Sequence, residues 1–102
     1  MNQQVMLKKL MKMKEEMEAT QQQIYDTEFK ASAGGVVTVT IMGNREIVDV
    51  EIDKDFEATS KEDLEMLQDS IIAACNQAYD EIDDVTEEKM AKYSALTGGM
   101  GF

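Results

Sequence analysis

Apolar residues recur at Met6, Leu10, Met13, Met17 and Ile24, with Thr20 in the remaining slot, so the first part of the chain alternates steps of four and three. This spacing lines one stripe of an α-helix over about residues 4–26. Held for roughly three heptads, it also has the form of a coiled-coil seam, and the methionines in it give adaptable packing. The period then drops to two. Phe29, Ala31 and Ala33 alternate with Glu28, Lys30 and Ser32; Val37, Val39 and Ile41 with Thr38, Thr40 and Met42; Val48, Val50 and Ile52 with Ile47, Asp49 and Glu51. Three strands follow, about 28–33, 36–42 and 46–52, each with one apolar and one mixed face. Gly34-Gly35 and Gly43-Asn44 fall between them as two-residue hairpin loops, where glycine supplies positive φ. A phosphate cradle would open onto a helix N-terminus, whereas Gly35 leads into another strand.

Helical spacing returns after "TSKEDLEML". Thr59 with Glu62, or Ser60 with Asp63, can form a reciprocal cap, and Glu62, Asp63 and Glu65 suit the positive end of the helix dipole. The second stripe is Leu64, Leu67, Ile71, Ala74, Ala78, Ile82 and Val85, in a helix of about residues 61–96 stopped by Gly98-Gly99 in a glycine-rich tail, 97–102. The order α-β-β-β-α predicts an α+β fold in a single domain, 1–102. Its three-stranded antiparallel meander is covered on one face by helices around one modest core. A helix of 23 residues spans about 35 Å and a six-residue strand about 20 Å, so part of each apolar stripe overhangs the sheet. Met6, Leu10, Met13 and Met17 are therefore expected to form a seam against the other helix or a second copy, and a homodimer is expected.

Composition narrows the chemistry. Acids outnumber bases twenty-one to ten, for a formal net charge of −11, so any contact with a polyanion must be local. A single cysteine and no histidine exclude an intramolecular disulfide and the usual zinc sites, and fit a reducing cytosol. The lysines of "LKKLMKMK" interrupt any signal-peptide core or membrane span at the N-terminus. Asp53 to Leu64 brushes against a calcium loop, yet Ala58 stands where the turn glycine belongs and Leu64 where a bidentate glutamate belongs. Asp83-Asp84 and Glu87-Glu88 point apart on a helix, Ser32, Ser60, Ser70 and Ser94 lack a histidine base, and Cys75 beside Ala74 reads as a small buried hydrophobe. The expectation is no catalytic residue, no metal, no cofactor and no small-molecule substrate: not an enzyme.

The one basic concentration is Lys8, Lys9, Lys12 and Lys14. Helical geometry puts Lys8 and Lys12 nearly opposite the apolar seam, with Lys9 and Lys14 flanking it. Glu15, Glu16 and Glu18 partly neutralise Lys12 and Lys14, which leaves Lys8 and Lys9 as the stronger phosphate-binding candidates.

"GGVVTVTIMGNREIVDVEID", "SKEDLEMLQDSIIAACNQA" and the closing "LTGGMGF", in this order and after a lysine- and methionine-rich helix, resemble the YbaB/EbfC family of bacterial nucleoid-associated proteins over nearly the whole chain. The resemblance implies a homodimer whose helices project as paired arms, binding to double-stranded DNA, location in the cytoplasm and nucleoid, and neither enzymatic activity nor cofactor. Two departures stand out: the tail lacks the family's common Pro-Gly step, and Asp80, Glu81, Asp83, Asp84, Glu87 and Glu88 of the second helix meet only Lys89 and Lys92. That helix should repel phosphate, and Lys89 and Lys92 among its acids should add little. The expected mechanism is electrostatic contact of the first-helix lysines with the DNA backbone, with little sequence specificity and with consequences for DNA conformation and gene expression. The rival is an acidic protein–protein adaptor gripping a partner with its paired helices.

Overall fold

A computed structural model describes residues 2–96. The elements run α1 (Gln3–Tyr25), β1 (Glu28–Ala33), β2 (Val37–Met42), β3 (Ile47–Ile52) and α2 (Lys61–Met90), followed by a 3-10 turn at Ala91–Tyr93. The strands form an antiparallel meander in the order β1-β2-β3, so the α-β-β-β-α reading holds. The glycine tail at 97–102, with its Gly98-Gly99 stop, lies outside the described residues.

Each helix starts on a side-chain cap. Asn2 Oδ1 accepts from the backbone N–H of Val5 at 2.9 Å. At α2 the expected Ser60–Asp63 pair forms the cap, and Thr59 joins it. Ser60 Oγ accepts from the Asp63 N–H at 3.2 Å, while the Asp63 carboxylate accepts from the Thr59 N–H at 2.9 Å and the Thr59 hydroxyl at 3.0 Å. These bonds to the ionised form hold the Asp63 carboxyl below the ordinary 3.8, the Thr59 backbone N–H contributing most.

The main core lies between α2 and the first two strands: Phe29, Ala31, Val37, Val39 and Ile41 meet Ala74, Ala78 and Ile82. Ser70, Ala74 and Ala78 repeat every four residues on the buried stripe, and their small side chains bring the helix close to the sheet. The stripe is narrower than the sequence pattern, since Leu64 is exposed. Only α2 covers the sheet. Instead of lying beside it, α1 packs antiparallel on the far half of α2, which corrects the expectation of helices plural over the meander. A second small cluster forms there from Ile24, Met90 and Tyr93, with Met17 and Leu96 against it, so the single expected core becomes two. The result is a rod of 72 × 20 × 15 Å.

The hairpins differ from each other. Gly34 and Gly35 carry positive φ as expected, at 63° and 68°, but Val36 joins them in a three-residue loop closed by its N–H to the Ala33 carbonyl at 3.3 Å. In the second loop Arg45, not glycine, takes positive φ, at 75°. Gly43 serves a different need: its N–H donates to the Thr27 carbonyl at 2.9 Å, and a Cβ there would lie 1.7 Å from the Ile24 carbonyl oxygen. The end of α1 rests on this turn. Arg45 ties the same turn to α2 by an ion pair with Asp83 and by stacking 5.3 Å from the centre of the Tyr79 ring.

A bulge between Thr40 and Ile41 changes the outer strand: Ile41 pairs with Ile47, Thr40 with Asp49, and Val48 becomes the extra residue. Ile47 thus takes the face assigned to Val48 by simple alternation. Val50 opposes Val39 and Ile52 opposes Val37, so both face the side on which α2 packs. Yet α2 stops short of β3, and Ile47, Val48, Val50 and Ile52 are all more than 40% exposed.

Candidate nucleic-acid interface

Lys8, Lys9, Lys12 and Lys14 lie on the part of α1 that precedes its main contact with α2, and all four are exposed. After Val5 this run holds no glycine, proline or β-branched residue, so it stays helical beyond the body that supports it. Every residue from Asn2 to Lys12 is exposed, and Met13 is the first that is half-buried. An arm of about 15 Å therefore projects clear of the fold. Of the seam residues, Met6 and Leu10 stand open, Met13 is half-buried, and Met17 packs against the cluster at the helix junction within the same chain.

Charge is sorted along the rod. All 21 acids lie between Glu15 and Glu88, together with Lys30, Arg45, Lys54 and Lys61. The other six of the ten basic residues are Lys8, Lys9, Lys12, Lys14, Lys89 and Lys92, in end stretches that contain no acid. Far apart in sequence, the end of the second stretch and Lys14 of the first are brought together by the antiparallel helix pair. Thr20 Oγ1 lies 3.4 Å from the Tyr93 hydroxyl, and Lys14 and Leu96 line one groove. Lys92 sits at this junction with Nζ 5.1 Å from the centre of the Tyr93 ring. The charge of −11 is thus an acidic body joined to a cationic tip. With a Debye length of about 8 Å at physiological ionic strength, most of a 72 Å rod is screened from a phosphate at that tip.

The sequence sets Lys89 and Lys92 among acids, and the fold places Lys92 at the α1–α2 junction. The signal was present, since no acid follows Glu88, but its meaning depends on where α2 ends relative to α1. Among the described residues no three His, Cys, Asp or Glu converge as a metal site, and no helix is long and apolar enough to cross a membrane.

Fold and charge define a class, a small α-β-β-β-α protein that presents its cations on a projecting helix. The chain belongs to the YbaB/EbfC DNA-binding family, whose family model matches residues 1–100. It is 43% identical over 96 residues to a nucleoid-associated protein of Clostridium novyi, covering 93% of this chain and 80% of that one. A nucleoid-associated protein of Staphylococcus epidermidis is 46% identical over 63 residues, 62% of this chain and 58% of the relative. The fold is similar to the crystal structure of an uncharacterized protein from Helicobacter pylori, with TM-score 0.67 and 27% identity, covering 94% of this chain and 98% of that one. The family is one of nucleoid-associated DNA-binding proteins and not an enzyme class.

Proposed function

We propose that this chain binds duplex DNA as a homodimer, in the nucleoid of the bacterial cytoplasm. Phosphate contacts come from Lys8 and Lys9, helped by Lys12 and Lys14, on the α1 arms of both copies. The observation that carries this reading is the sorting of charge, which leaves the arm cationic on a protein of net charge −11. Sequence specificity is low, because the arm offers lysines and apolar side chains and no arginine to bind guanine edges bidentately. Two arms on one duplex give the dimer a means to bend or bridge DNA and so to alter gene expression.

The dimer itself is supported by β3. An edge strand with Ile47, Val48, Val50 and Ile52 exposed is a liability for a lone monomer, and a second copy laid against it removes that apolar surface from water.

The test is DNA affinity across a salt series. Two copies of Lys8 and Lys9 release roughly four counterions, a contribution of about −3.6 to the slope of log affinity against log salt. Lys8→Gln with Lys9→Gln keeps helix propensity. It should weaken binding to every duplex alike and flatten the slope by about that amount. Unchanged affinity and slope would remove the arm from the interface. No salt-dependent DNA binding by the unmodified protein would make the acidic adaptor the better reading.

A further inference from the structure

The arm has a second face that phosphate does not use. Met6, Leu7, Leu10 and Met11 are 51%, 58%, 47% and 56% exposed. Helical geometry sets these four and Met13 within an arc of about 160°, and Lys8, Lys9 and Lys12 within about 100° on the opposite side. Of the arm's apolar residues only Val5 falls among the lysines. Met6, Leu10, Met13 and Met17 by themselves make the narrow stripe that one neighbouring helix fills. Leu7 and Met11 widen that stripe beyond what a helix covers, whereas a flat apolar medium takes the whole arc. Lys14 enters the arc where the arm joins the body, lining an open groove with Leu10, Met11, Met17 and Leu96. Its long apolar stem lets the ammonium reach out of that groove to a polar boundary.

We infer that the arm is an interfacial anchor for an anionic lipid bilayer, with Met6, Leu7, Leu10 and Met11 sunk into the boundary between headgroups and acyl chains. Charge and shape both fit that occupant. The first acid of the chain is Glu15, so the segment that meets the surface brings four lysines and no carboxylate. Anionic headgroups attract such lysines, and burial of the apolar arc adds to the attraction. No helix among the described residues is long and apolar enough to cross a membrane, so the arm enters the surface without spanning it. It enters at an incline, deepest at Met6 and Leu7, because the chain at Tyr93 and Leu96 stands on the Met17 side of α1. That incline holds the acidic body away from the headgroups, where a Debye length of about 8 Å limits repulsion. A second arm on the same face would set its four lysines against the first four, which like-charge repulsion opposes.

The test is co-sedimentation of the full chain with vesicles of phosphatidylcholine mixed with phosphatidylglycerol, beside vesicles of phosphatidylcholine alone. Partition onto the mixed vesicles should be at least about tenfold stronger than onto the neutral ones. Leu7→Gln with Met11→Gln keeps every charge and nearly all helix propensity. It should lower partition onto the mixed vesicles by about tenfold or more. In a Cys75→Ser background, an environment-sensitive fluorophore on Leu7→Cys should shift to the blue on mixed vesicles, and the same fluorophore on Lys54→Cys should not. Absence of binding to mixed vesicles, or equal binding to both kinds, overturns the inference. So does unchanged partition of the Leu7/Met11 variant, which would reduce the contact to its lysines. A halved mass of that variant in sedimentation equilibrium without vesicles also overturns it, by assigning the strip to a second copy. No measurement here involves DNA, so failure of this inference and failure of the DNA assignment are separable.

Discussion

A single missing methyl group at Gly43 lets α1 meet the sheet. The Ile24 carbonyl occupies the place where a Cβ would stand, and backbone on both sides prevents either from yielding. Gly43→Ala should lower stability by roughly 3 kcal/mol or more, read from the urea midpoint. Gly35→Ala is the matched control. Nothing lies within 4 Å of its Cβ position, so it carries only the strain of positive φ, about 1–2 kcal/mol. Both glycines read as turn residues in the sequence, and only their neighbours in space tell them apart. Asp63 offers a test by pH. Its folded pKa is lowered by Thr59, so its stabilising contribution is present above the unfolded value and lost as pH falls through the folded one. Asp63→Asn should be less stable than the parent at neutral pH. It should also lose less stability between about pH 5 and pH 2, measured by denaturant midpoints across that window.

Among the elements, β3 and α1 both present apolar residues, but in different company. Val50 and Ile52 face the side that α2 covers for β1 and β2, and only the missing width of one helix leaves them exposed. The α1 residues nearest the body, Met13 and Met17, are half-buried, and Met17 packs within its own chain. If a second copy completes the layer over β3, Val50→Asp should yield monomers in sedimentation equilibrium at micromolar protein, since a buried unpaired carboxylate is strongly disfavoured. Met13→Glu should loosen the α1–α2 junction and leave the mass doubled. The reverse pattern would place the dimer seam on α1. Helix and strand identities were legible from periodicity alone, because spacing of 3.6 or 2 is a property of a few consecutive residues. That β3 would lack a helix above it was not legible: its alternation resembles that of β1, which is covered.

For the whole molecule, the decisive quantity is the position of charge and not its total. Lys89→Gln with Lys92→Gln, and Lys54→Gln with Lys61→Gln, each remove two positive charges, but from opposite regions of the charge pattern. If binding followed net charge, the two variants would weaken alike. With the tip as the interface, the first pair should lower DNA affinity and flatten the salt slope by about 0.9 for each lysine–phosphate pair removed, while the second changes neither appreciably. Fluorescence anisotropy with a labelled duplex over a salt series reads both quantities.

Local chemistry in the sequence determined the helices, the strands, the meander, the caps and the lysine cluster, since each depends on residues within a turn or a hairpin of one another. Tertiary structure decided the rest. It set α1 on the far half of α2 through Ile24, Met90 and Tyr93. It moved the positive φ of the second turn onto Arg45 and left β3 open. It also set Lys92 at the junction of α1 and α2, far in sequence from the lysines of the arm. Those outcomes rest on contacts between residues far apart along the chain, and no periodic pattern in the sequence records which faces will meet.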